Sequence, residues 1–443
     1  MQVQVTHKDI WRISYPIMLG SMAQTLLGIT DTAFLARVGE IELGAAAIGG
    51  VFYFVLVMIG MGFGIGAQIM MARKAGENDP LSIGRIFDHT ILLLLGLSAA
   101  VFAIVVLAGP HIFQYIITSP LVLAGANEFL GYRIWGIFFV MIAMSFRAFY
   151  VGVSQTRIIT YSAIVMTVTN VVLDYLLIFG HYGFPRMGLG GAALASSISE
   201  CVAAVYLVVY TAFKSDIKKF RLFTFEKLNR KMFEGLVDLS GPIVMQNIIS
   251  MGAWFAFFVF IERLGEHELA ISNIVRSNYM ILMTPIWGFS SAANSMVSNL
   301  IGQKKPGEVM ALLKKIISLS FGITLVLVLL NVVFARWMLH LTAASEVLVN
   351  DSLLSFYIIC LATLVFSVSM ILFSGVSGTG ATKAAMYLEI SNIIIYLSYV
   401  YVCSVFLRTP IEVVWFSEVL YWSMMGSFSY FYLKSLRWQL VTI

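Results

Sequence analysis

Two aspartates, Asp31 and Asp174, stand well inside long apolar stretches of the first half of the chain, and the second half holds no acid in their places. A carboxylate in hydrocarbon costs about 2.5 to 3.5 kcal/mol on insertion scales, so an intramembrane acid is a functional residue by default. Asn170 precedes Asp174 by four residues, which puts its amide on the same helical face as the carboxylate. Two carboxylates, an amide oxygen and the hydroxyl of Ser196 form an oxygen-rich set suited to a hard cation such as Na+. The same acids can share a proton, because two like charges in a low dielectric favour keeping one between them.

The elements that must position these groups are membrane spans. The 443 residues are 60% hydrophobic and 12% charged, with mean hydropathy +0.90. That is more apolar surface than a soluble core hides, so the chain is an all-α polytopic membrane protein. Twelve stretches are long enough to cross: 10–36, 43–72, 86–109, 124–151, 156–180, 189–213, 236–262, 268–300, 309–335, 346–376, 384–407 and 411–433. With both termini on the cytoplasmic side, 21 Lys and Arg residues fall inside and five outside (Arg37, Arg186, Arg263, Arg336 and Arg408), which fixes that orientation. The net charge of +5 follows from this asymmetry and implies no nucleic-acid partner.

Depth then brings the polar residues together. The first span ends near Ala36, so at 1.5 Å per residue Asp31 lies about 7 Å below the outer boundary. Asp174 lies at a similar depth below the end of the fifth span, and Ser196 about 10 Å from the same surface in the sixth. Gln24 lies two turns below Asp31 and is expected to line the cavity under the cation site. Pro16 removes a backbone donor inside the first span and permits a bend there. Met141 and Met144 of the fourth span, with Arg147, are candidates for the wall of an adaptable substrate cavity. Arg133, Arg276 and Glu389 are further charges inside spans.

The chain also contains itself twice. At an offset of 226, residues 16–80 lie on 242–306 without a gap, with 17 of 65 positions identical, about three times what composition gives. With a slip, GVSQT at 152–156 matches GVSGT at 375–379, and Asn170 matches Asn392. An even number of spans per repeat makes the two halves parallel, an arrangement on which alternating access is built. The expected domains are a lobe at 1–213, a basic connector at 214–235 and a second lobe at 236–443. Cys201, Cys360 and Cys403 show no pairing pattern and read as small core residues. No metal-spaced Cys/His pair, phosphate-binding glycine loop or nucleophile constellation occurs, so neither enzyme activity nor ATP-driven transport is expected of this chain.

The early proline of the first span, SMAQTLLGITDTAFLARVGEIELGAAAIGG, the GVSQTR turn, NVVLD in the fifth span and GLGGAALASSIS in the sixth resemble the multidrug and toxic compound extrusion (MATE) transporters. The resemblance covers both halves. It implies a V-shaped pair of six-helix lobes in a prokaryotic inner membrane, without a cofactor, exporting organic cations or amphipathic drugs in exchange for H+ or Na+. It also implies that Asp31, Asn170, Asp174 and Ser196 form the ion site, with Ser196 where many members carry Thr. Within the resemblance, the acids of the first lobe imply a place nearer the DinF-like and archaeal branches than the NorM-like one, and the seventh span from Gly241 to Ile261 and the tenth from Phe356 to Lys383 carry no acid. The expectation is a monomer with one asymmetric cation site confined to the first lobe, its partners being small-molecule substrates and the lipid bilayer. A lipid-linked oligosaccharide flippase of the same superfamily, or a passive channel or receptor-like protein, are the alternatives.

Overall fold

The computed structural model of the protein describes residues 2–225, 229–343 and 345–440. Among the described residues the chain is almost wholly helical and has no strand. Its helices are α1 (His7–Leu35), α2 (Glu40–Gly76), α3 (Pro80–Ile116), α4 (Pro120–Arg133), α5 (Gly136–Gly152), α6 (Arg157–Phe179), α7 (Gly188–Phe213), α8 (Arg230–Glu262), α9 (Glu266–Gly302), α10 (Val309–Val333), α11 (Ala335–His340), α12 (Glu346–Gly378), α13 (Thr382–Tyr401) and α14 (Ile411–Lys434). Every expected span coincides with a helix, the fourth with the pair α4 and α5, which bend by 49° at their break. By length and apolar composition eight described helices can cross a membrane, or nine with that pair as one span. Three others, α1, α9 and α14, hold Asp31, Arg276 and Glu418 among many hydroxyl and amide side chains, and are not among these eight.

Two compact units result. One is Leu19–Val244, here the N-unit; the other, the C-unit, is Met1–Met18 with Met245–Ile443. The chain passes between units inside α1 and α8, within three residues of Pro16 and Pro242, which occupy the same place in the repeat. Relative to lobes at 1–213 and 236–443, the units exchange the opening turns of these two helices. Gly62 and Gly66 of α2 show how closely the opening of α8 packs in the N-unit. A Cβ on either would collide with Val244 or Ser240. In the C-unit, Trp11 of α1 packs on Phe289 of α9 with ring centroids 6.4 Å apart.

The basic connector is held on α3. The Asp88 carboxylate accepts from the backbone N–H of Phe223 at 2.7 Å and of Phe225 at 2.9 Å. Nε2 of His89 accepts from Asn229 N–H at 2.9 Å. Residues 226–228 of this connector, Lys227 of its basic cluster included, lie outside the described residues.

The α6–α7 hairpin sets the register of the polar site. Gly180 caps α6 with φ +73°, a left-handed conformation that a side chain resists. The Met187 N–H then returns to Leu177 O at 2.8 Å. A Cβ on Gly191 would press on the Leu177 backbone, so the run of small residues opening α7 lets the two helices touch and brings Ser196 to the level of Asn170.

Candidate functional site

Asn170 and Asp174 are fully buried on α6, and Asp31 of α1 is half-buried. The Asn170 amide nitrogen lies 2.8 Å from Asp31 Oδ1 and 3.2 Å from Asp174 Oδ2, because ionised carboxylates only accept and the N–H groups must donate. The other end of the amide faces the Ser196 hydroxyl, 3.4 Å away. Asp31 and Asp174 lie within hydrogen-bonding reach of each other, and Asp174 Oδ1 is buried without a partner. The four residues expected to meet therefore do meet. With its nitrogen so placed, the Asn170 amide bridges the two acids.

Beside Asp31 lies a second polar group. Arg133, at the end of α4, forms a two-pronged ion pair with Glu200 of α7, Nη1 to Oε2 being 2.7 Å. Its guanidinium stacks 3.8 Å over the Tyr53 ring, and the Tyr53 hydroxyl donates to Glu200 Oε2 at 3.3 Å. The break between α4 and α5 frees the carbonyls of Tyr132 and Arg133, which accept from Ser197 Oγ at 3.0 and 3.3 Å. Gly136, just past the break, has no room for a Cβ against Arg133, Glu200 and Ser197. Arg133 also acts electrostatically on Asp31. Glu200 escapes the sequence reading, although its i, i+4 spacing from Ser196 is the signal that finds it.

The remaining candidates are scattered. Gln24 is exposed on α1, one residue from Ala23, whose carbonyl accepts from Thr167 of α6 at 3.2 Å. Pro16 sits inside a continuous α1. Met141 is fully buried in the N-unit core, its sulfur against Gly60, and Met144 is half-buried beside it. Met141 is thus core here rather than an open wall, since Gly60 leaves it a slot to fill. Arg147 is half-buried and, among the described residues, makes no ion pair. In the C-unit Arg276 lies 5.0 Å over the Phe258 ring. Among the described residues no group of three or more His, Cys, Asp or Glu side chains is placed to hold a metal ion.

The second half holds buried acids as well, one of them the Glu389 noted among the charges inside spans. Glu389 of α13 accepts from Ser250 Oγ at 2.6 Å and from the Tyr421 hydroxyl at 2.7 Å. Glu418 of α14, which the sequence reading missed, accepts from Tyr396 at 3.0 Å, Tyr279 at 3.1 Å and Trp422 Nε1 at 3.2 Å. Glu418 sits eight residues into an apolar helix, the same signal that marked Asp31.

A duplicated helical fold of this kind, with long apolar helices in each repeat, is that of a multi-pass membrane protein. The MatE family model matches residues 16–176 and again 242–402, and the chain belongs to that family. Among its relatives, a probable multidrug resistance protein NorM of Agrobacterium fabrum is 26% identical over 66% of this chain, and one of Rhizobium meliloti is 29% identical over 59%. The chain spans 63% and 56% of the length of these two relatives. A solved MOP superfamily transporter from Pyrococcus furiosus, described by the reversed polarity of its binding pocket, has the same fold. Its TM-score is 0.90 at 19% identity, with 97% of this chain and 95% of that chain covered.

Proposed function

We propose that this protein is a secondary antiporter that exports organic cations or amphipathic drugs by alternating access, with H+ as the coupling ion. One observation carries the choice of ion: the Asp31 and Asp174 carboxyls lie within hydrogen-bonding reach of each other, with the Asn170 amide against both. Such a group gains a proton by filling the gap between two acceptors and removing a like-charge repulsion, without an acceptor cage. Substrate cations and the proton then compete for conformations of one polar network, with Arg133 and Glu200 as its fixed, mutually neutralised neighbours.

The energetics suffice. When one proton is exchanged for one monovalent organic cation no net charge crosses, so the pH difference is the drive, and each unit of it is about tenfold in accumulation, or about 1.4 kcal/mol. Drug substrates are favoured by the multidrug resistance names of the relatives and by membership of the family. Both termini are read as cytoplasmic in an inner membrane, which the 21 to five division of basic residues supports. A position nearer the DinF-like and archaeal branches rests on the acids of α1 and α6, while the two relatives above bear the NorM name.

The test is ethidium uptake into everted vesicles under an imposed pH or Na+ gradient, wild type beside Asp31→Asn. An inward-acid pH gradient drives uptake in the wild type, a Na+ gradient does not, and D31N abolishes the response. Unchanged uptake in D31N, or uptake driven by Na+ alone, contradicts the reading.

A further inference from the structure

The buried acids of the C-unit occupy the place in the second repeat that the coupling site occupies in the first. Asn392 lies 222 residues after Asn170 and, on the same offset, Tyr396 answers to Asp174 and Glu418 to Ser196. At the offset of 226 that aligns the opening helices, Phe257 answers to Asp31 and Tyr279 to Tyr53. The correspondence extends to contacts. Phe257 and Tyr396 stack with centroids 5.9 Å apart, where the first repeat pairs two carboxyls. Tyr279 donates to Glu418 on α14 as Tyr53 donates to Glu200 on α7. The acid has moved between positions, but the polar core has been kept.

The chemistry differs in one respect. Glu200 is neutralised by Arg133, whereas among the described residues Glu389 and Glu418 meet only neutral donors. The other titratable groups of this core are Tyr279, Tyr396, Tyr421, Cys360 and Cys403. The basic residue of α9, Arg276, lies instead over Phe258. Both acids are nearly inaccessible, 3% and 4% exposed, and a buried carboxylate without a counter-charge is costly by several kcal/mol. Among the described residues both donors to Glu389 reach Oε1, which leaves Oε2 for a hydrogen. One turn along the same face of α13, Asn392 gives its amide N–H to Tyr421 O at 3.0 Å, while its fully buried Oδ1 has no partner. An unsatisfied acceptor there calls for one more donor. The rings of Tyr396 and Tyr421, 5.2 Å apart, join the two acids into one network.

We propose that the C-unit contains a second proton-binding site, formed by Glu389 and Glu418 with Asn392, at the repeat position of the Asp31/Asp174 pair. The step is simple protonation: H+ from water adds to a carboxylate oxygen, and no other bond forms or breaks. The ring of O–H and N–H donors around Glu418 suits a proton-carrying network and not a metal cage. The inference does not rest on the transport reading, since protonation is measured on the resting protein.

The test is the pH-difference infrared spectrum of the full-length Asp31→Asn/Asp174→Asn protein in lipid bilayers. Acids common to both proteins cancel when the spectrum of the same protein with Glu389→Gln and Glu418→Gln added is subtracted, and a carboxylic acid C=O band is expected to remain. Tyr279→Phe is expected to move the midpoint of that band without removing it. Absence of the band from the subtracted spectrum, or an unmoved midpoint in Y279F, each overturns the proposal.

Discussion

The two units solve one problem, an acid in an apolar helical bundle, in opposite ways. The N-unit pairs two carboxyls through an amide and sets a guanidinium beside them, locked to Glu200. The C-unit encloses Glu389 and Glu418 among hydroxyls and an indole, with no cation in contact among the described residues. Charge pairing makes the N-unit arrangement sensitive to the loss of either partner, because an orphaned buried charge is far costlier than a lost neutral hydrogen bond. On the proposed reading, the two repeats keep a polar core at one place while separating what it does: charge coupling in the first, proton storage on neutral donors in the second.

The comparison breaks most clearly on transport. Asp31→Asn or Asp174→Asn is expected to collapse an ethidium accumulation ratio of about 100-fold at a pH difference of about two units to about one in proteoliposomes. Glu389→Gln is expected to leave substantial accumulation and to change its pH profile. If D174N transported like the wild type, the N-unit would lose its special role.

Stability gives the next largest difference. Glu200→Gln leaves Arg133 buried and unpaired, with an expected loss of about 3–5 kcal/mol in detergent unfolding. Glu418→Gln, whose partners are all neutral, is expected to lose about 1–3 kcal/mol. Equal losses would erase the contrast between charged and neutral enclosure. On a smaller scale, Tyr53→Phe removes a 3.3 Å bond and Tyr279→Phe a 3.1 Å one, so each should cost about 1 kcal/mol. A much larger cost at Tyr53 would mean that its ring stacking on Arg133, not its hydroxyl, dominates.

The smallest effect lies outside the membrane core. Asp79 caps α3, its carboxylate accepting from Ser82 N–H at 3.1 Å. Its slight burial opposes ionisation, but the Ser82 hydrogen bonds and nearby Lys74 and Arg85 prevail and hold its carboxyl below the ordinary value. Its contribution is therefore present above the unfolded value and lost as pH falls through the folded one. Asp79→Ala should cost about 1 kcal/mol at neutral pH and less in acid. A cost independent of pH would show that the cap is not electrostatic.

Much of this was legible in the chain. Apolar length placed the helices, the offset of 226 exposed the repeat, and helical spacing with depth brought Asp31, Asn170, Asp174 and Ser196 to one level, where they meet. What spacing could not give was direction. Whether Asn170 offers nitrogen or oxygen depends on which acceptors surround it, and the burial of Met141 depends on a slot left by Gly60 on another helix. Glu200 and Glu418 were missed for a different reason. Their partners Arg133, Tyr279 and Tyr396 come from other spans, and only Trp422 shares a helix with the acid it meets.

The most direct measurement of the central claim is the number of protons released when the purified protein is saturated with ethidium at constant pH. The account predicts release from the wild type, retained in E389Q and lost in D31N/D174N, because the dye and the proton compete through the Asp31–Asn170–Asp174 network. Release of the same size from D31N/D174N would contradict it.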